Sequence, residues 1–178
     1  MKNNVNIYVL RGLFGFLFKD AMYPIAKHLK KNMGYENVQM LSWQPQYQVN
    51  IIREIESKYK KDSDNKFCLI GMSLGGNAVT AMSQVLAKKD IPLHYLAVID
   101  APMPVEVGKT TIVCDNFYQF NDWRDPILEI KSKKTKLSQF NFRNKEDGIG
   151  KFIKPENHIS IASNEFLMKR IYDQVSKL

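Results

Sequence analysis

Phe67-Cys68-Leu69-Ile70-Gly71-Met72-Ser73-Leu74-Gly75-Gly76 decides how this chain is read. Its first four residues are continuously apolar, as suits a parallel strand covered on both faces. Beyond Gly76, the residues Ala78, Ala81, Met82, Val85 and Leu86 recur at helical period until Asp90-Ile91-Pro92 ends the pattern. Gly-x-Ser-x-Gly therefore falls on a sharp strand-to-helix turn. Such a turn strains the serine backbone and lifts its hydroxyl above the sheet, which requires small residues two positions away on either side. Gly71, Gly75 and Gly76 meet that requirement. The turn also leaves the Leu74 N–H at the helix start, where it and the helix dipole can stabilise a developing oxyanion. The plainer alternative is a glycine-rich turn whose serine only caps the helix.

Working outward, strands and helices alternate. Asn6-Ile7-Tyr8-Val9-Leu10 reads as a buried strand, followed by a helix capped by Asp20, running to about Asn32 and stopped by Gly34. Val38-Gln39-Met40-Leu41 is a short second strand. A helix over about 47–60 follows, with Val49, Ile52 and Ile55 as its apolar positions. After the Ser73 helix come strands near 93–99, 111–120 and, more weakly, 137–142. The last helix starts near the capping candidate Ser163 and carries Leu167, Ile171 and Val175. This alternation predicts a three-layer α/β/α sandwich around a mostly parallel sheet. There are no internal repeats and no linker, so 178 residues read as one domain, with no separate cap domain.

Three histidines occur. His28 lies within the first helix and His94 near the start of a strand, the wrong end of a parallel sheet for a site. His158, in Lys154-Pro155-Glu156-Asn157-His158-Ile159-Ser160, stands on an irregular segment before the last helix and can reach over Ser73. Asp100, Asp115, Asp122 and Asp125 are candidate acids. Asp100 follows Ala97-Val98-Ile99 directly, at the carboxyl end of the strand after the serine helix, and leads. Asp122, after the next strand, is the runner-up. The chain order Ser, Asp, His is an independent test of a nucleophile, base and acid set.

Gly71-Met72-Ser73-Leu74-Gly75-Gly76, then Asp100, then His158 together resemble an α/β-hydrolase over essentially the whole chain. Among such proteins the sequence is most similar to compact, lidless esterases and thioesterase-like domains, which carry their acid after the strand next to the serine helix. The resemblance implies a Ser73–His158–Asp100 triad that cleaves an ester or thioester through an acyl-enzyme, with no cofactor and no metal. It implies a second oxyanion donor in the loop after the first strand, where Arg11-Gly12-Leu13 stands. Arg11 replaces the usual histidine, but the backbone N–H of Leu13 needs no particular side chain, and Phe14 is an alternative donor. Phe14, Phe16, Leu17 and Phe18 could wall an acyl pocket or pack beneath the first helix. The substrate so implied is a small-molecule or acyl-carrier-type ester or thioester, or an acyl group passed to an acceptor other than water.

Composition constrains the alternatives. Hydrophobic residues make up 44% and charged residues 25%, ordinary values for a folded globular chain. Cys68 and Cys114 are flanked by apolar residues and read as buried strand thiols of a reduced, cytoplasmic protein. The apolar run from 5 to 18 is interrupted by Arg11 and lacks a clean cleavage site, so it reads as core strand and not leader. No stretch is long enough to span a bilayer. The net charge of +8 gathers in lysine clusters at 27–31, 58–61 and 131–136. The last lies in the stretch from 121 to 157 with Trp123, which could wall the site and favour an anionic substrate, or could be a solvated loop. Nothing accompanies the lysines to indicate nucleic-acid binding beyond charge itself. An inactive relative that binds a partner through its basic surface is the competing class, and the presence of all three candidate catalytic residues argues against it.

Overall fold

Every strand in the computed structural model, which describes residues 4–13, 22–119, 127–142, 157–158 and 160–178, runs in the same direction. The strands are β1 (Val5–Arg11), β2 (Val38–Ser42), β3 (Lys66–Met72), β4 (Leu93–Ile99), β5 (Thr111–Tyr118) and β6 (Lys136–Asn141), in the spatial order β2-β1-β3-β4-β5-β6. Helices α1 (Tyr23–Lys31), α2 (Pro45–Lys61), α3 (Leu74–Lys88) and α4 (Glu165–Val175) lie on both faces. This is the expected α/β architecture, with a wholly parallel sheet.

The two-residue period of a strand builds both cores at once. Ile7 and Val9 of β1 with Cys68 and Ile70 of β3 join Ile25 and Leu29 of α1 and Leu167 and Ile171 of α4 in one core. Tyr8 and Leu10 with Phe67 and Leu69 join Ile51 and Ile55 of α2 and Val79, Met82 and Leu86 of α3 in the other. Burying each large apolar side chain contributes roughly 1.5–3 kcal/mol, so both faces must be covered for the sheet to persist. Cys68 and Cys114 are fully buried in opposite cores, and burial pushes both thiols above their ordinary range.

Three local expectations are corrected. Helix α1 begins at Tyr23 with Met22 in the cap position and Pro24 in its first turn, so its cap is not Asp20, which lies outside the described residues. On α2 the buried residues are Ile51 and Ile55, while Val49 is exposed, because the helix begins at Pro45 and is rotated to place this four-residue pair on the sheet. The cap of α4 is Asn164, whose side chain accepts from the N–H groups of Phe166 and Leu167; Ser163 belongs to a preceding 3-10 turn, Ile161–Ser163. A short amide outcompetes the serine because it can serve two orphan donors of the first turn.

Between β4 and β5 the usual crossover helix is replaced by an extended strap, residues 101–108, that descends along α3. Its backbone is satisfied by one helix face: Asn77 Oδ1 accepts from Met103 N–H at 3.0 Å, Thr80 Oγ1 from Val105 N–H at 3.3 Å and Ser83 Oγ from Gly108 N–H at 3.0 Å. Gln84 Nε2 donates to the Glu106 carbonyl at 2.8 Å. These polar side chains, three to four residues apart, do for the strap what a partner strand would otherwise do.

The direction in which strands are added to the sheet reverses at β1. From β1 the chain passes to β2 on one side and then crosses to β3 on the other, so the loops leaving the carboxyl ends of β1 and β3 diverge. Such a switch point opens a crevice at that edge. Ser73 follows β3 there, and Gly12 and Leu13 follow β1.

Candidate active site

Ser73 sits between β3 and α3 with φ 56° and ψ −126°, a left-handed conformation that a serine adopts only under tertiary constraint. Its N–H donates to the Ile99 carbonyl at 2.8 Å, and its carbonyl accepts from Gly76 N–H at 2.8 Å, so strand and helix grip the residue from both sides. Gly75 brings α3 against the end of β1: a Cβ there would lie 2.2 Å from the Leu10 carbonyl oxygen. Gly12 brings the loop after β1 against the serine itself. A Cβ at Gly12 would lie 2.7 Å from Ser73 Cβ and 3.1 Å from Ser73 Oγ. Both approaches need a residue without a side chain.

Asp100 follows β4 with φ 43°, its N–H donating to the Phe117 carbonyl at 2.7 Å. Asp100 Oδ2 lies 2.6 Å from His158 Nδ1, and His158 Nε2 lies 3.1 Å from Ser73 Oγ. The three sequence-selected side chains therefore form one hydrogen-bonded line across the carboxyl edge. The carboxylate can only accept, so Nδ1 carries the proton and Nε2 is left to accept from the serine hydroxyl. The Asp100 side chain is 15% exposed and that of His158 53%, so the acid is shielded while the imidazole remains open to solvent.

Two supports were not read from the sequence. Gln119, immediately after β5, donates to Asp100 twice, from its backbone N–H to Oδ1 at 3.3 Å and from Nε2 to Oδ2 at 3.0 Å. The signal available was its position, one residue beyond the end of the strand beside β4. His158 is held by a reciprocal clasp around it: Asn157 N–H donates to Ser160 Oγ at 3.0 Å and Ser160 N–H to Asn157 Oδ1 at 2.9 Å. Here the signal was an Asn and a Ser three residues apart, the spacing of local side-chain-to-backbone closure.

Leu74 is the first residue of α3, where the backbone N–H has no helical carbonyl four residues back to donate to. Leu13 is the residue after Gly12 and is 48% exposed. Phe14, Phe16, Leu17, Phe18, Asp122, Trp123 and Asp125 lie outside the described residues. Asp115 is buried within β5, where it accepts from Tyr95 Oη at 3.1 Å and from Arg170 Nε at 2.9 Å and Nη2 at 3.0 Å, tying α4 to the sheet. His28 stacks on Tyr172 with ring centroids 4.1 Å apart. His94 Nδ1 accepts from Phe67 N–H at 3.3 Å at the amino edge of the sheet; burial, aided by Lys66, lowers it to about 4.

The lysine cluster at 131–136 does not wall the site. It precedes β6 and therefore lies at the amino edge, and β3 alone, seven residues long, separates the two edges by about 23 Å. Among the described residues no group of three or more His, Cys, Asp or Glu could hold a metal ion, and no helix is long and apolar enough to cross a membrane.

No family model and no curated protein matches this chain. A distant likeness exists to a solved structure from Xanthomonas campestris pv. campestris described as "a putative hydrolase of the alpha/beta superfamily", at a TM-score of 0.49 and 12% identity, covering 94% of this chain and 99% of that one.

Proposed function

We propose that the protein is a serine hydrolase of the α/β-hydrolase kind that cleaves an ester or thioester through an acyl-enzyme on Ser73. The observation that carries this reading is the unbroken hydrogen-bonded line Asp100–His158–Ser73, drawn from three separate loops at one edge of the sheet. His158 takes the Ser73 proton as Oγ attacks the acyl carbonyl, and Asp100 orients the imidazole and stabilises its cation. The alcohol or thiol leaves with the proton returned by His158. Water, activated by the same imidazole, then releases the acid. The Leu74 and Leu13 N–H groups bind the oxyanion, each donor contributing on the order of 10²–10³ in turnover. The strained Ser73 backbone, which costs of order 1–3 kcal/mol, supports the reading because a serine that merely capped the helix would not need it.

A fluorophosphonate probe tests the proposal without knowledge of the substrate. Expected is a single adduct on Ser73, absent in Ser73→Ala and His158→Ala, at least 100-fold slower in Asp100→Asn and unchanged in Asp122→Asn. A folded protein that takes no label would overturn the assignment in favour of a binding role on the same fold.

A further inference from the structure

Among the described residues, lysines gather at the amino edge of the sheet. Because all strands are parallel, every helix between them runs back to the amino edge, and the turns there end helices and begin strands. Lysines occupy these turns one after another: Lys30 and Lys31 end α1, Lys60 and Lys61 end α2, Lys88 ends α3, and 131–136 leads into β6. A cation at a helix C-terminus complements the macrodipole, and one or two in each last turn need no further explanation. Several are also neutralised, as Lys60 and Lys89 are by Glu56 at 3.0 and 2.9 Å, and Lys109 by Asp90 at 3.3 Å. Others are not. Lys61, Lys88, Lys133, Lys134 and Lys136 are exposed and make no ion pair with any described residue; Lys133 and Lys134 are on the turn before β6 and Lys136 is its first residue, where no helix dipole requires them.

We infer that this amino edge is a docking face for an anionic lipid surface. Six strands span about 24 Å between the outer axes, and the turns of the helical layers widen the face on either side, so the lysines cover a broad end of the molecule and not a stripe or groove. Lysine alone supplies their charge, as strongly hydrated point charges on flexible stems, without the planar fork that reads individual phosphates. The described helices that end at this edge present their carbonyl ends there, so they offer no helix N-terminus to cradle a discrete phosphate. Ile112, 44% exposed as the second residue of β5, adds an apolar side chain to the same edge. A diffuse, planar sheet of negative charge matches this pattern, whereas a nucleic acid would call for a charged track with stacking aromatics. Docking in this way turns Ser73, on the opposite edge, toward the aqueous phase.

The test is co-sedimentation of the full chain with phosphatidylcholine vesicles, with and without one-third phosphatidylglycerol. Expected is binding only to the anionic vesicles, weakening steeply with salt. A surface lysine is worth about fivefold in such binding, so Lys133→Gln, Lys134→Gln and Lys136→Gln together should weaken it on the order of 100-fold. The corresponding glutamate variant should abolish it. A control of equal charge change, Lys27→Gln, Arg53→Gln and Lys169→Gln, should retain most of the binding, which excludes an effect of net charge alone. Equal losses in the two neutral triple variants, no binding to either vesicle, or binding to duplex DNA without vesicle binding would each overturn the inference. Fluorophosphonate labelling of Ser73 should be unchanged in the 133, 134 and 136 variants, so failure here is distinguishable from failure of the hydrolase assignment.

Discussion

The two edges of this one sheet are built by opposite rules. At the amino edge, positive φ occurs where helices stop, at Gly34 (75°) after α1 and at Asp90 (53°) after α3, which is ordinary left-handed termination. At the carboxyl edge it occurs at Ser73 (56°) and Asp100 (43°), whose side chains are both joined to one imidazole. Each edge also holds a histidine. His94 is partly buried under a backbone donor, and burial keeps it neutral; His158 is largely exposed and bridges two polar side chains. Strain and open polar chemistry thus coincide on one edge, while the other has relaxed turns and solvated charge. The lesson is that backbone strain locates a candidate site only when it lifts chemically useful side chains toward each other.

The sharpest way to break this contrast is to make one substitution at both edges. Gly75→Ala drives a Cβ to within 2.2 Å of the Leu10 backbone carbonyl, so α3 must leave β1; we expect at least 3 kcal/mol of lost stability, or no folded protein. Gly34→Ala meets nothing within 4 Å and pays only for its positive φ, about 1 kcal/mol. Urea unfolding of both variants decides it, and equal losses would erase the distinction.

A smaller effect is expected at Gln119. Its Nε2 helps fix the Asp100 carboxylate that faces His158, so Gln119→Ala should slow fluorophosphonate labelling of Ser73 about tenfold, consistent with the loss seen when an outer hydrogen-bond partner of an active group is removed. Gln119→Glu, which sets a second carboxylate against Asp100, should slow it further. Labelling at the parent rate in both would show that the backbone N–H of residue 119 suffices.

The smallest effect belongs to the amino edge. His94 has a folded value of about 4, below the usual 6.5, so its neutral form is favoured by folding. Its contribution is therefore fully present above pH 6.5 and is lost as pH falls toward 4. His94→Gln, which keeps an acceptor for the Phe67 N–H, should lose less melting temperature between pH 7 and pH 4.5 than the parent. An unchanged difference would mean that His94 does not titrate with folding.

Most of the candidate site was legible because local chemistry dictated it. A serine between glycines at a strand-to-helix junction, an aspartate directly after an apolar strand and a histidine before the last helix are all local signals, and all three meet. The oxyanion roles proposed for Leu74 and Leu13 rest on the same logic of position. What was not legible depended on who lies beside whom. Gln119 acquires its place only because β5 pairs with β4, Gly12 only because β1 pairs with β3, and the α2 face turned to Ile51 and Ile55 because the sheet, not helical period alone, chose it.

The sequence by itself determined the alternation of strands and helices, the strained turn at Ser73 and the identities of the residues that gather around it, because period, glycine placement and strand ends are written in neighbouring residues. Tertiary structure alone decided the order of the strands, and with it the switch point, the separation of the 131–136 lysines from Ser73 and the gathering of the described helix-end lysines at one edge. Those features arise from pairing between segments far apart in the chain, and no local pattern encodes which strand a given strand will find beside it.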